Sequence, residues 1–154
     1  MQMMNTINKV LGMIFKDLTQ FGSLIFFGTV VILTFLLGEI SLAIKLLFGV
    51  IFTALITILI RLFYFKDRPK KQKYGNLLEK LDASSFPSLH TARIAFLGLT
   101  LILFFRNDLI TAFLVIMTLA VAYSRIYLKK HDYYDLLGGF ILGVITYSLV
   151  NIFF

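Results

Sequence analysis

The chain is dominated by apolar blocks that are long enough to cross a lipid bilayer. Residues 18–38 carry no charge, and residues 40–60 are interrupted only by Lys45 near their start. About 20 such residues span the hydrocarbon core. Three further blocks follow: one that begins near Ser88 and carries His90 and Arg93 in its first turns, and two more at residues 109–124 and 136–154. The sequence therefore predicts five transmembrane helices. With 59% hydrophobic and 15% charged residues, an ordinary soluble domain is excluded.

A shorter amphipathic segment precedes the first block. Apolar residues recur there at helical spacing and polar ones fall between them, which predicts a helix lying in the membrane interface; the apolar positions are Met3, Met4, Ile7, Val10, Leu11, Ile14 and Leu18. We expect no cleaved signal peptide in residues 1–20. The predicted architecture is one all-α domain over residues 1–154: an interfacial helix at 1–20 and spans at about 21–38, 40–63, 88–105, 109–124 and 134–154.

The few charges are unbalanced, since 15 Lys and Arg residues face 8 Asp and Glu residues, a net charge of +7. Such an excess fits nucleic acid, an anionic membrane surface or a phosphorylated substrate. The absence of cysteine excludes disulfides, thiolate metal sites and thiol catalysis. With five spans, the two longer loops at residues 61–87 and 125–135 fall on the same membrane face as the N-terminal helix.

One polar block on this face contains His131 and Asp135. If the last helix begins next to His131, the two side chains lie one turn apart on the same face. The carboxylate can then accept the Nδ1 proton and leave Nε2 as a free lone pair. His131 is thus a candidate nucleophile; the alternative is a polar pair that satisfies itself at the membrane interface.

A second block, Pro87-Ser88-Leu89-His90, opens the third predicted span. Unpaired backbone N–H groups at a helix N-terminus bind anions, and the Ser88 hydroxyl can add to them. His90 in the first turn can exchange a proton with a bound anion. The alternative is an ordinary helix start.

The remaining polar residues are arginines at span ends. Arg61 ends the second span, Arg68 precedes Pro69, and Arg125 ends the fourth span. Three bidentate cations suit a tetrahedral phosphate, although an arginine beside a span is often only a topology anchor. Together the three blocks form a set of residues for phosphoryl transfer that contains no metal-ligand set.

These blocks resemble the signature of the type 2 phosphatidic acid phosphatase superfamily: Lys-x6-Arg-Pro, Pro-Ser-Gly-His and Ser-Arg-x5-His-x3-Asp. Here they read Arg61-x6-Arg68-Pro69, Pro87-Ser88-Leu89-His90 and Ser124-Arg125-x5-His131-x3-Asp135. Arg61 replaces the usual lysine and Leu89 the usual glycine, which puts the phosphate contact and the loop conformation in question. Membrane members typically have six spans, and the amphipathic helix stands here in place of the first.

The resemblance implies a mechanism. His131 attacks phosphorus and forms a phosphohistidine, Asp135 supports its imidazolium, and His90 protonates the leaving oxygen and then activates water. The residues implied to bind the phosphate are Arg61, Arg68, Ser88, Leu89 and Arg125. No metal and no cofactor are implied.

Helix-end chemistry and apolar spans point to a lipid phosphate or diphosphate as substrate. Within the family that the blocks resemble, a compact chain without a large extramembrane loop favours lipid A 1-phosphate and undecaprenyl diphosphate as the leading candidates. Phosphatidylglycerol phosphate or phosphatidic acid, phosphoryl transfer to a second lipid, and a non-enzymatic packing protein with a Gly139–Gly143 helix contact stay open. Arg93 and Lys66 are candidate headgroup contacts; the alternatives are helix pairing for Arg93 and a solvated charge run for Lys66. Nucleic acid is not expected as a partner, and the sequence leaves the oligomeric state open.

The charge pattern and the resemblance disagree on orientation. Every Lys and Arg except Lys45, Arg93 and Arg106 falls on the site face, which the positive-inside tendency would make cytoplasmic. The resemblance implies an inner-membrane protein whose site opens to the periplasm or exterior. We expect the second, because several of these cations serve phosphate rather than topology.

Overall fold

The computed structural model describes residues 2–154, with side chains from residue 6 onward. Within this part the chain is about 80% helical and contains no strand, which confirms the predicted all-α class. The helices are α1 (Gln2–Leu18), α2 (Leu24–Leu36), α3 (Ile40–Phe63), α4 (Leu77–Ala83), α5 (Leu89–Phe105), α6 (Asp108–Tyr127) and α7 (Tyr133–Phe153). Met1 and the side chains of Met3 and Met4, which belong to the predicted amphipathic pattern, lie outside the described residues.

Three helices, α3, α6 and α7, are long and apolar enough to cross a membrane by themselves. The central helix α5 has only 17 residues. Helix α2 has 13 residues, or about 20 Å at 1.5 Å per residue, and is shorter than the predicted span 21–38. It joins the segment Thr6–Gly22 at a bend of 48°. The fold therefore contains the predicted apolar helices, while the count of five spans stays a prediction.

Helix α5 lies at the centre of the bundle, in contact with α3, α6 and α7. All of its residues from 91 to 98 are buried, as expected for a helix that is surrounded by others. Helix α7 approaches it through two glycines. A Cβ atom at Gly139 would lie 2.4 Å from the Ser88 carbonyl oxygen, and one at Gly143 would lie 2.7 Å from the Ala92 carbonyl oxygen. These glycines thus form the helix contact that the sequence suggested.

The N-terminal helix packs along α6. The Phe15 ring lies 4.3 Å from the Tyr127 ring and 5.5 Å from the Tyr123 ring, measured between centroids. Ile7 and Ile14 remain exposed on α1. A single 3-10 turn, Thr19–Gly22, then leads into α2, whose first turn is capped by the Ser23 hydroxyl. An exposed apolar face of this kind is consistent with the predicted interfacial position.

The loop before α5 contains a short helix that the sequence analysis did not predict. The Asn76 side chain accepts a hydrogen bond from the Glu79 backbone at the start of α4, and Glu79 accepts one from the Gly75 backbone. Asn-x-x-Glu is a variant of the capping box, so the signal was present in the sequence. Helix α4 ends at Ala83, and residues 84–88 then lead directly into α5.

Candidate active site

A cavity of about 440 Å³ lies where α3 and α6 end and α5 and α7 begin. Seven of the predicted site residues line it: Arg61, Arg68, Leu89, His90, Arg93, Arg125 and His131. Leu24, Asp82 and Lys130 also line it, although the sequence analysis assigned none of them to the site. The predicted residues Ser88, Asp135 and Lys66 do not line the cavity and lie behind it. The lining carries far more positive than negative charge, which suits a phosphate.

His131 lies in the turn between α6 and α7, and α7 begins next to it at Tyr133, as the sequence interpretation requires. The backbone N–H groups of Lys130 and His131 both donate to the Arg125 carbonyl oxygen, at 3.0 and 3.2 Å, so the turn is tied to the end of α6. The imidazole is 2% exposed, and its Nδ1 lies 3.5 Å from Asp135 Oδ2. Burial lowers the pKa of His131, although Asp135 opposes this effect. A neutral imidazole with a free Nε2 lone pair is therefore favoured at neutral pH.

The Asp135 side chain is held in place by Asp132 and Lys66. It forms a capping box with Asp132 at the start of α7, with both backbone-to-carboxylate hydrogen bonds at 3.0 Å. Lys66 Nζ donates to Asp135 Oδ1 at 2.8 Å and to Asp132 Oδ2 at 2.6 Å. Burial alone would lower the pKa of Lys66, but the two carboxylates raise it. The Lys66 ammonium is thus engaged by carboxylates behind His131.

Ser88 caps α5 and is fully buried. Its hydroxyl oxygen accepts a hydrogen bond from the Thr91 hydroxyl at 2.9 Å, and its backbone N–H donates to the Asp135 carbonyl oxygen at 3.0 Å. The second contact joins the start of α5 to the first turn of α7. His90 and His131 therefore reach the cavity from two helix ends that are fixed to each other.

Leu89 is the first residue of α5. Among the described residues, the only non-glycine residues with positive φ are Arg106 and Lys129. Leu89 therefore adopts a backbone conformation that any residue can reach, and the glycine of the family pattern is not needed here.

The Arg61 guanidinium donates to three backbone carbonyl oxygens. These belong to Leu81 at 2.9 Å, Pro87 at 3.0 Å and Phe86 at 3.3 Å. Arg61 thereby links the end of α3 to the segment between α4 and α5. Its predicted contact with phosphate would have to be made alongside these three hydrogen bonds.

The other three arginines of the cavity, Arg68, Arg93 and Arg125, each have an N–H donor that no described residue accepts. Arg68 donates to the Gln72 side chain at 2.8 Å and to the Asp82 carbonyl oxygen, and Arg125 donates to the Thr19 hydroxyl at 2.6 Å. The Nε–H groups of Arg68, Arg93 and Arg125 are buried without a hydrogen-bond partner among the described residues. A buried donor without a partner is costly, and burial also lowers the pKa of Arg68. An anion in the cavity would relieve both costs.

Two of the contacts at the site could not be expected from the sequence blocks. Thr19 lies 106 positions before Arg125, and nothing in the local pattern around it indicates a polar contact. Lys66 lies between Arg61 and Arg68, but the sequence gives no sign that it pairs with Asp132 and Asp135. Lys130 could have been found, since it directly precedes His131. The described residues contain no group of three or more His, Cys, Asp or Glu side chains that could hold a metal ion.

Comparison with protein families identifies the class of protein to which this fold and site belong. The model of the PAP2 superfamily matches residues 42–154, which include all three polar blocks. The chain belongs to the PAP2 superfamily, whose members are phosphatases, that is, hydrolases of phosphate esters.

Two solved structures share the fold over most of this chain. The crystal structure of LpxE from Aquifex aeolicus matches with a TM-score of 0.78 at 22% identity, covering 93% of this chain and 86% of that chain. The transmembrane PAP2-type phosphatidylglycerolphosphate phosphatase from Bacillus subtilis matches with a TM-score of 0.75 at 21% identity, covering 93% and 76%. At these identities the comparison establishes the fold, and with the apolar helices it establishes an integral membrane protein.

Proposed function

We propose that this protein is a metal-independent membrane lipid phosphatase that removes the terminal phosphate of a lipid phosphate or diphosphate through a phosphohistidine. The observation that carries the proposal is a buried His131 backed by Asp135, in a cavity that His90 and four arginines also line. Family membership supports the reaction class.

In this mechanism His131 Nε2 attacks phosphorus while Asp135 faces Nδ1 and stabilises the imidazolium that forms. The bond from phosphorus to the lipid oxygen breaks, and His90 donates a proton to that oxygen. Water then attacks the phosphohistidine, His90 takes up a proton of that water, and inorganic phosphate leaves. The second half of the reaction thus restores both histidines.

The arginines stabilise the charge that develops on the equatorial phosphate oxygens. Arg68, Arg93 and Arg125 are best placed to do so, because each has a buried Nε–H without a partner among the described residues. Arg61 and the Ser88 cap hold the cavity wall.

For the substrate we propose lipid A 1-phosphate or undecaprenyl diphosphate. The likeness to LpxE, a lipid A 1-phosphatase, supports the first. The likeness to the Bacillus subtilis phosphatidylglycerolphosphate phosphatase supports phosphatidylglycerol phosphate as the alternative substrate. We further propose that the protein resides in the inner membrane with its cavity open to the periplasm or exterior.

The test is release of inorganic phosphate by detergent-purified protein from a panel of these lipids and phosphatidic acid. We expect His131→Ala and His90→Ala to lower the rate by at least about 10³-fold, with unchanged elution on size exclusion. Radiolabelled phosphate should be trapped on the wild-type protein as an acid-labile adduct and should be absent from His131→Ala. Full activity of either variant would refute the mechanism.

The same experiment separates the other two functions. Radiolabel that appears in a second lipid, with no free phosphate, would identify a phosphotransferase. Absence of any phosphoryl chemistry from the whole panel would favour a non-enzymatic packing protein.

A further inference from the structure

Next to the catalytic cavity lies a second cavity of about 530 Å³ whose charged lining is entirely basic. Its walls come from three segments: the end of α1, the loop after α3, and the end of α6 with the turn that follows. The lining residues are Lys16, Thr19, Lys70, Lys71, Gln72, Arg125, Leu128 and Lys130. Five of these eight side chains are cations, and none is acidic.

The two cavities share Arg125 and Lys130. The Arg125 guanidinium stands between them, since it lines the catalytic cavity and donates to Thr19 on the wall of the second. A group bound in the second cavity would therefore be a direct neighbour of the phosphate in the first. This places the basic cavity within reach of the same headgroup.

The basic cavity has a fixed frame. The Lys70 backbone N–H donates to the Lys129 carbonyl oxygen at 3.0 Å, which ties the loop after α3 to the turn after α6. The carboxylates that offset the cations lie outside the lining of this cavity. Lys71 Nζ is 3.7 Å from Asp67 Oδ2, with both side chains largely exposed, and Asp82 acts on Lys130 from the catalytic cavity.

The cations also repel one another. Burial and the neighbouring charges of Arg68 and Arg125 lower the pKa of Lys130, Asp82 opposes this effect, and Lys70 contributes in the lowering direction. An anion bound among these groups would reverse that effect and gain charge-assisted hydrogen bonds.

We propose that the basic cavity binds a second anionic group of the substrate headgroup, so that the protein selects lipids with two phosphate groups over simple lipid monophosphates. This inference rests on the proposed function and narrows it. Lipid A bisphosphate, a polyprenyl diphosphate and phosphatidylglycerol phosphate all meet the requirement, whereas phosphatidic acid does not.

The test compares phosphatidylglycerol phosphate and phosphatidic acid with identical acyl chains in neutral detergent micelles, which removes attraction to an anionic bilayer. The variant is Lys16→Gln/Lys71→Gln, which removes one cation from α1 and one from the loop. The matched control is Lys9→Gln/Lys73→Gln, which removes the same charges from the same two segments outside both cavities.

For wild type we expect a lower KM for phosphatidylglycerol phosphate than for phosphatidic acid. In Lys16→Gln/Lys71→Gln the KM for the first lipid should rise about tenfold, which corresponds to the loss of about 1.4 kcal/mol, while the KM for phosphatidic acid should change less than about twofold. The control variant should behave as wild type. Equal loss on both lipids, or the same loss in the control, would overturn the proposal.

Binding of both lipids to His131→Ala, measured without turnover, distinguishes failure of the proposed function from failure of the subsite. If wild type releases phosphate from no lipid of the panel, lipid A and undecaprenyl diphosphate included, the proposed function fails. If His131→Ala binds both lipids equally, or if its preference survives the Lys16→Gln/Lys71→Gln change, the basic cavity is not a subsite.

Discussion

At the residue scale, Arg61 shows how the chemistry of one side chain suits it to a structural role. A lysine ammonium is a point charge, whereas the planar guanidinium presents several donors at once. Arg61 uses this fork to hold the carbonyl oxygens of Leu81, Phe86 and Pro87. It therefore acts as a positioning residue for the start of α5, and its contact with phosphate stays a prediction.

Lys66 gives the sharpest residue-level prediction. Since its ammonium holds Asp135 and Asp132 behind His131, Lys66→Met should let the Asp135 carboxylate move. We expect kcat to fall about tenfold to a hundredfold with KM little changed, and Lys66→Arg to recover part of the loss. Steady-state kinetics of the purified variants measures both constants.

The opposite result, a change in KM without a change in kcat, would favour the headgroup contact that the sequence suggested for Lys66. A headgroup contact predicts a higher KM with kcat unchanged, because only ground-state binding would be lost.

The His131 environment predicts the acidic limb of the pH profile. Burial lowers the pKa of His131 below its ordinary value of 6.5, so the imidazole stays neutral and nucleophilic somewhat below pH 6.5. The kcat/KM should fall as the pH drops through this lowered pKa. Asp135→Asn removes the carboxylate that raises the pKa, so the limb should move to still lower pH while kcat falls.

The substrate ionises identically in the assays of wild type and Asp135→Asn. A difference between their pH profiles therefore reports the ionisation of a group in the protein. If the acidic limb stays in place or moves to higher pH in Asp135→Asn, the assignment of His131 and Asp135 as an interacting pair is wrong.

At the element scale, the spacing between α5 and α7 sets the geometry of the site. Gly139 faces the Ser88 carbonyl oxygen, and the Ser88 backbone N–H donates to the Asp135 carbonyl oxygen. One helix contact thus fixes the starts of α5 and α7 relative to each other; His90 lies in the first turn of α5 and His131 in the turn just before α7.

Gly139→Ala should push these helices apart, since its Cβ would lie 2.4 Å from the Ser88 carbonyl oxygen. We expect a loss of about 1–3 kcal/mol in stability and a marked loss of activity. Thermal unfolding in detergent and phosphate release measure the two effects.

Gly28→Ala on α2 is the matched control, because no atom lies within 4 Å of its added Cβ. It should leave activity unchanged and raise stability slightly. An equal effect of both substitutions would show that the α5–α7 contact is not what matters.

At the scale of the whole molecule, all the site chemistry lies at one end of the bundle, so orientation decides which compartment the cavity faces. The chain has no cysteine, and single cysteines can therefore report the side. Lys73, which is exposed in the loop after α3, is a suitable position on the side of the site. The neighbouring Gln72 is not suitable, because its side chain accepts a hydrogen bond from Arg68.

In intact cells a membrane-impermeant maleimide should label Lys73→Cys and spare Glu39→Cys, which lies at the other end of the bundle between α2 and α3. The reverse pattern would establish a cytoplasmic site and support the positive-inside interpretation.

The sequence by itself determined the apolar helices and the three polar blocks, because membrane length and helical spacing are local properties of the chain. It predicted His131 beside Asp135 for the same reason, because the two residues are four positions apart. In the structure the capping box at Asp132 holds the Asp135 carboxylate beside the histidine.

Only the tertiary structure decided which partner each cation takes. Arg61 bonds to carbonyl oxygens 20 to 26 residues away, Lys66 to carboxylates 66 and 69 residues away, and Arg125 to a hydroxyl 106 residues away. A long charged side chain can serve phosphate, backbone or carboxylate equally well. Its role is therefore settled by what the packed helices bring within about 3 Å of it, which no local pattern records.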